Sequence, residues 1–174
     1  MRISSKKEKK QRNFSPLNLI IIIAIIVFSI RLFFLDIMQV KGSSMEPTIK
    51  HEQILFINRL SYGVILPFID KYVFRWNKPE SGDIIVFYNP NNHSLTVKRC
   101  IASEFDNIYY DDGLLSVDYF DGPLNIGYSL QFFNINKVPR GHILVLGDNL
   151  PNSVDSRLFG FVKIDDIIGN VLFY

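Results

Sequence analysis

One cysteine, one tryptophan and three histidines are all that this 174-residue chain holds of those residue types. The single Cys100 excludes an intrachain disulfide framework. With His51, His93 and His142 scattered along the chain, a structural zinc site is not indicated, and neither metal nor cofactor is expected. Positive charge is also scarce once the N-terminus is set apart. Residues 1–16 carry six basic groups (Arg2, Lys6, Lys7, Lys9, Lys10, Arg12) against Glu8. Of 19 basic and 17 acidic residues, that leaves 13 against 16 elsewhere, so the body of the chain is −3. The isoelectric point of about 8.6 therefore describes the tail, and nucleic acid is not an expected partner. There is no internal repeat, no low-complexity stretch beyond that tail, and past residue 35 no long amphipathic helix.

Apolar residues make up 48% of the chain and aromatics 14%, with a mean hydropathy of +0.14, which excludes a disordered polymer. The length suits an anchor plus one compact domain. From Leu17 to Leu35 only Asn18, Ser29 and Arg31 are not apolar. A helix rising ~1.5 Å per residue crosses the hydrocarbon layer in about 20 residues, so a membrane-spanning helix is expected at 17–35, with Arg31 reaching toward the exit interface. The basic tail at 1–16 predicts a cytoplasmic N-terminus, which puts 36–174 outside the cell membrane. A cleavable signal peptide is the competing reading. It wants small residues after the apolar run, whereas Asp36-Ile37-Met38-Gln39-Val40 follow, which suits a retained anchor.

Beyond the anchor, short β-rich runs alternate with turn residues, at 54–58, 83–88, 95–102, 107–110, 114–119, 142–146 and 167–174. The expected class is mostly β, one spanning helix followed by a compact β-rich domain. Asp112-Gly113 reads as a hairpin turn. Residues 59–77, rich in aromatics (Tyr62, Phe68, Tyr72, Phe74, Trp76), are open to three readings: loop packing, a short helix, or a surface that meets lipid headgroups.

Three places hold residues that do chemistry. Ser44, in Gly42-Ser43-Ser44-Met45-Glu46-Pro47-Thr48, lies nine residues past Leu35, where a nucleophile would work at the membrane surface. Lys98 sits in the apolar strand pattern 95–101, on the face opposite Val97 and Arg99. A polar cluster, Gly147-Asp148-Asn149 through Asn152-Ser153-Val154-Asp155-Ser156-Arg157, follows the apolar run 143–146. Each has an ordinary reading as well: a polar turn, a solvent-facing strand lysine, a loop of capping residues. A serine hydroxyl needs a base, and no histidine is placed with an aspartate for a triad. Lysine remains, and it serves only if burial strips its ammonium of water and lowers its pKa well below about 10.4.

In this order (an apolar anchor, SMxPT at 44–48, Gly82-Asp83-Ile84-Ile85-Val86-Phe87, Val97-Lys98-Arg99, Gly147-Asp148-Asn149 and NSxDSRxxG to Gly160) the motifs resemble the type I signal peptidases, membrane-anchored Ser/Lys endopeptidases. The resemblance covers nearly the whole chain from residue 17. It implies a signal-peptidase-like catalytic domain with Ser44 as nucleophile and Lys98 as general base. Ser153 would hold the lysine amine by a hydrogen bond, and Asp155 with Arg157, like Arg99 with Asp148, would form supporting ion pairs. The Ser44 N–H would donate to the oxyanion, and Gly42 stands where some members carry an extra hydroxyl donor.

It also implies signal peptides of exported preproteins as substrates, with the bilayer and the secretion machinery as partners. Cleavage would follow small residues fitted into shallow apolar pockets. The matching positions are Met38, Val40, Met45, Ile49 and Val97, which read equally well as core. A substrate strand would lie extended between the Val40 segment and the Val97 strand. After Arg99 the family turns through glycine and proline, whereas this chain runs Cys100-Ile101-Ala102-Ser103-Glu104-Phe105-Asp106. Two further hypotheses are a self-cleaving repressor, excluded by the anchor occupying the place of a DNA-binding domain, and a noncatalytic chaperone or scaffold for exported proteins.

Overall fold

The computed structural model describes residues 15–65, 72–118, 122–127 and 134–173. An N-terminal helix, α1 (Pro16–Phe33), leads into a domain built almost wholly of strands. Among the described residues no helix is long and apolar enough to cross a membrane. The side chains described in α1 end at Phe28, and thirteen residues rise about 20 Å against roughly 30 Å of hydrocarbon. The basic tail through residue 14, the side chain of Arg31 and Phe68 lie outside the described residues.

The helix stops at Phe33 and Leu35 already belongs to a strand, two residues before the boundary expected from hydropathy. Leu35 pairs with Asn58 across β1 (Leu35–Gln39) and β2 (Ile54–Asn58). An apolar run is read alike in a helix and in a half-exposed strand, so hydropathy alone could not separate the two here.

The main sheet has seven strands in the order β1-β2-β12-β5-β6-β10-β11, all paired antiparallel. Here β5 is Ile84–Tyr88, β6 Leu95–Ala102, β10 His142–Leu146, β11 Val162–Lys163 and β12 Ile167–Phe173. In β5 the first four residues are all buried, as the unbroken apolar run Ile-Ile-Val-Phe predicts for a strand covered on both faces. Ile84 and Val86 pack with Val40, Met45, Ile49, Leu55 and Val97. Ile85 and Phe87 point the other way, into a cluster with Cys100, Val145 and Ile167. Gly169 lets β12 approach β2 closely: a Cβ there would overlap the Asn58 carbonyl.

A three-stranded sheet, β7 (Ile108–Asp111), β8 (Leu114–Val117) and β9 (Leu124–Asn125), turns at Asp112-Gly113 and closes a third cluster over Ile101, Leu144 and Leu146. Within 59–77 the described residues include two paired strands, β3 (Gly63–Ile65) and β4 (Tyr72–Arg75), while 66–71 lie outside the described residues. Tyr62 is buried there, donating to Asp83 Oδ2 at 2.7 Å. Burial and that carboxylate raise its pKa far above the ordinary range for a phenol. Val73, Phe74 and Trp76 are exposed.

Candidate active site

Ser44 lies in the turn that follows β1. The turn is held down by its own apolar residues, since Met45 and Ile49 are buried in the core and Ile49 N–H closes onto the Met45 carbonyl at 2.8 Å. Ser44 itself is left half-buried at the edge. The polar loop 147–155 reaches it from the other side of the sheet. Asn149 donates its backbone N–H to the Ser44 carbonyl and its side-chain amide to the Ser43 carbonyl, both at 3.0 Å.

Lys98 stands in the middle of β6, opposite Ile85 of β5, and is 3% exposed. Its Nζ lies 2.6 Å from Ser44 Oγ. Burial lowers the Lys98 pKa to about 8 from an ordinary 10.5; the Asp155 and Asp148 charges oppose that fall and Arg157 adds to it. An ammonium donates to the hydroxyl oxygen, whereas a neutral amine accepts the hydroxyl proton. The contact has the distance and the proton affinity that a nucleophile and its general base require.

Two fork-shaped ion pairs back the pair up. Arg99 donates through Nε and Nη2 to Asp148 at 2.8 and 2.6 Å, and through Nη1 to the Gly82 carbonyl at 2.9 Å. Burial pushes the Asp148 carboxyl up, but the hydrogen bonds from Arg99 and Thr48 and the Arg99 charge outweigh it and hold the pKa below its ordinary value. Asp155 is fully buried. It receives Arg157 Nε at 2.8 Å and Nη2 at 2.9 Å, caps α2 (Ser156–Phe159), and accepts the Gly147 N–H at 3.1 Å.

One expected contact is absent. Ser153 is buried beside the pair, yet its Oγ makes no hydrogen bond, neither to Lys98 nor to another group. In this geometry the lysine amine is turned to Ser44 instead. Gly147 lies against both serines; a Cβ there would fall on Ser153 Oγ and the Ser44 carbonyl oxygen.

A cleft of about 480 Å³ opens beside the pair, lined by Met38, Val40, Ser44, Met45, Val97 and Lys98. Ile49, which the sequence allows as core or as pocket lining, is 0% exposed, packs in the core with Leu55 and Ile57 and is not part of the cleft's lining. The cleft has backbone to offer as well. β10 pairs with β6 only from Arg99 to Ala102, so residues 95–98 pair with β5 on one side alone, and β1 is the edge of the main sheet. The turn after β6 departs from the family pattern without disturbing Lys98. The strand continues to Ala102, and the turn is closed by Asp106, whose carboxylate accepts the Ser103 N–H at 2.7 Å, with Phe105 left-handed at φ 72°.

Comparison with known proteins gives the family. The model of a family described as signal peptidase, peptidase S26, matches residues 14–174. The chain belongs to that family. In this S26 chain the match takes in every element that builds the cleft, from β1 to α2. Signal peptidase I of Bacillus caldolyticus is 34% identical, over 98% of this chain and 93% of its own. A probable signal peptidase I-2 of Synechocystis is 32% identical over 95% and 75%. Signal peptidase I of Pseudomonas fluorescens is 27% identical over 83% and 66%. Asn149, Gly147 and Thr48 join the site although sequence reasoning gave them no role. The signal was there in Gly147-Asp148-Asn149, whose small first residue and short amide suit close backbone contact.

Proposed function

We propose that this peptidase is a membrane-anchored endopeptidase that removes signal peptides from exported preproteins, cutting after small residues with Ser44 as nucleophile and Lys98 as general base. The observation that carries the reading is the 2.6 Å contact between Lys98 Nζ and Ser44 Oγ on a lysine that burial has made a weak base. Ser44 Oγ attacks the scissile carbonyl carbon while Lys98 Nζ takes its proton. The tetrahedral oxyanion is met by the Ser44 N–H. Its collapse breaks the C–N bond as Lys98 returns the proton to the leaving amine, and the acyl-enzyme remains. Water then gives its proton to Lys98, attacks the ester and frees the signal peptide. Ser153, with no partner of its own, supplies a hydroxyl for the lysine amine once the Ser44 oxygen is acylated. Asp155–Arg157 and Arg99–Asp148 act as scaffold.

The open edges of β1 and of residues 95–98 suit an extended substrate strand, with alternate side chains entering the pockets of Met38, Val40, Met45 and Val97. Pockets this shallow choose alanine by excluding larger groups. Anchoring rests on the apolar run from Leu17. The whole of α1, 18 residues, rises about 27 Å, and its described apolar side chains are exposed. Exposed Phe74 and Trp76, their rings 6.1 Å apart, give the domain an aromatic patch for the headgroup layer. Residues 1–16 would be cytoplasmic, 17–35 the anchor region, and 36–174 extracytoplasmic beside the secretion machinery. A scaffold without catalysis would have no use for a buried lysine hydrogen-bonded to a serine. The test is cleavage of a preprotein in lipid by the wild type, Ser44→Ala and Lys98→Ala, with the new N-terminus sequenced. Cutting after a small residue by the wild type alone is expected; cutting by either variant at the wild-type rate overturns the dyad.

A further inference from the structure

Gly42, two residues before Ser44, has φ +106° and no side chain to pack. Its backbone N–H is instead taken up from across the turn, donating to His51 Nδ1 at 3.0 Å. The two arms of this loop are tied at the base by Val40 N–H to the Gln53 carbonyl and Glu52 N–H to the Val40 carbonyl, both at 2.9 Å. The imidazole thus closes the loop nearer its tip than any of those backbone bonds. Its side chain is 57% exposed, so it adds little to the core, and the contact it makes is with the loop that carries the nucleophile.

We propose that His51 is a positioning residue: as a neutral imidazole accepting the Gly42 N–H, it holds the Ser44 loop at the distance that Lys98 requires. The inference rests on the reading of Ser44 and Lys98 as nucleophile and base. An Nδ1 acceptor places the ring proton on Nε2, which faces Glu52 Oε1 at 4.0 Å. Glu52 lies 4.0 Å from the ring; Lys41, Glu46 and Lys50 are the other charged residues of the loop. Loss of the Nδ1 acceptor would leave the Gly42 N–H without its partner across the turn and slacken the loop that carries Ser44.

The test uses the full chain in lipid vesicles with a preprotein substrate, comparing the wild type, His51→Asn and His51→Phe. The asparagine oxygen can accept the Gly42 N–H and cannot charge; phenylalanine keeps a ring and removes the acceptor. Expected at pH 8.5 is a fall in kcat of about fivefold for His51→Phe with KM unchanged, while His51→Asn stays within twofold of the wild type. Thermal melting of all three proteins is read beside the rates, so that a loss of kcat in His51→Phe restored by His51→Asn at equal melting temperature marks positioning rather than stability. Should His51→Phe lose stability, single-turnover cleavage by His51→Ala, which also lacks the acceptor, decides. Equal kcat in all the variants and the wild type would overturn the proposal. Ser44→Ala, run beside them, separates the two levels: activity in that variant overturns the dyad itself, whereas an inactive Ser44→Ala with indifferent His51 variants overturns only the role of His51.

Discussion

The proton on Lys98 should control catalysis and stability together, in opposite senses to those of an exposed lysine. With a pKa of about 8, about one molecule in eleven holds the neutral amine at pH 7 and about ten in eleven at pH 9. The rate constant kcat/KM should therefore rise about tenfold over that interval and level off, with its midpoint near pH 8. A lysine at its ordinary 10.5 would still be gaining tenfold per pH unit at pH 9. The same shift bears on folding. The unfolded lysine binds its proton up to about pH 10.5 and the folded one only to about 8, so the unfolded state holds more protons between those values and stability rises with pH there. Below pH 8 the full cost applies, about 3 kcal/mol from a shift of ~2.5 pH units at 1.36 kcal/mol each. Lys98→Met should thus be inactive but more stable than the wild type at pH 7 by up to about 3 kcal/mol, and that advantage should fade between pH 8 and 10.5. The assays are initial rates of preprotein cleavage from pH 5.5 to 10 and urea unfolding of both proteins across the same range. A rate midpoint above pH 10, or a stability difference constant with pH, would refute the reasoning.

Gly147→Ala should fold and yet lose at least a hundredfold in kcat, because its Cβ must push the Ser44 carbonyl or Ser153 aside and a misplacement of about 1 Å costs on that order; thermal melting beside single-turnover cleavage separates the two effects. Ile49→Ala should cost about 2–5 kcal/mol of stability, as a fully buried isoleucine does, while the residue before the cut, read by sequencing the products of a randomised substrate, stays the same. A changed preference would return Ile49 to the cleft.

How much of this was legible in the sequence depended on whether a residue's role was local. The strands at 95–102 and 142–146 could be read to the residue, because alternating or unbroken apolar runs bounded by Asn-Pro and Pro-Arg-Gly leave few other conformations. The pairing of Lys98 with Ser44 was legible partly from chemistry, since no histidine is placed with an aspartate for a triad, and partly from the resemblance of their motifs to those of the signal peptidases. Strand β1 was hidden because its Leu35 continues the anchor's hydropathy, and only pairing with β2 separates them. The hairpin of β3 and β4 was hidden because Tyr62 and Tyr72 are anchored from far off, by Asp83 and by the Ile167 carbonyl, and no spacing within 59–77 announces those partners. The aromatics there split accordingly: the two tyrosines bind inward, and Phe74 and Trp76 stay outside. Ile49 and Met45 carry the same apolar signal four residues apart, and only the turn decides that Met45 reaches the cleft and Ile49 does not.

The support for Ser44 runs along the backbone rather than through side chains that touch its hydroxyl. Asp155, with no exposed surface, would be costly as a lone charge, and Arg157 repays that cost through two parallel hydrogen bonds. The same carboxylate then has a lone pair left for the Gly147 N–H, which fixes the start of the loop. Two residues on, Asn149 grips the Ser43 and Ser44 carbonyls. A charge pair on α2 thereby sets the place of a serine more than a hundred residues earlier in the chain, with no atom of the pair needed at the scissile bond. The same arrangement bears on the proton affinity of the lysine beside Asp155. Its charge raises the lysine's proton affinity, and Arg157 acts against that rise, so burial prevails and the amine remains a base near neutral pH. Removing Arg157 alone would leave Asp155 unbalanced, and the lysine would hold its proton more tightly just as the loop loosened.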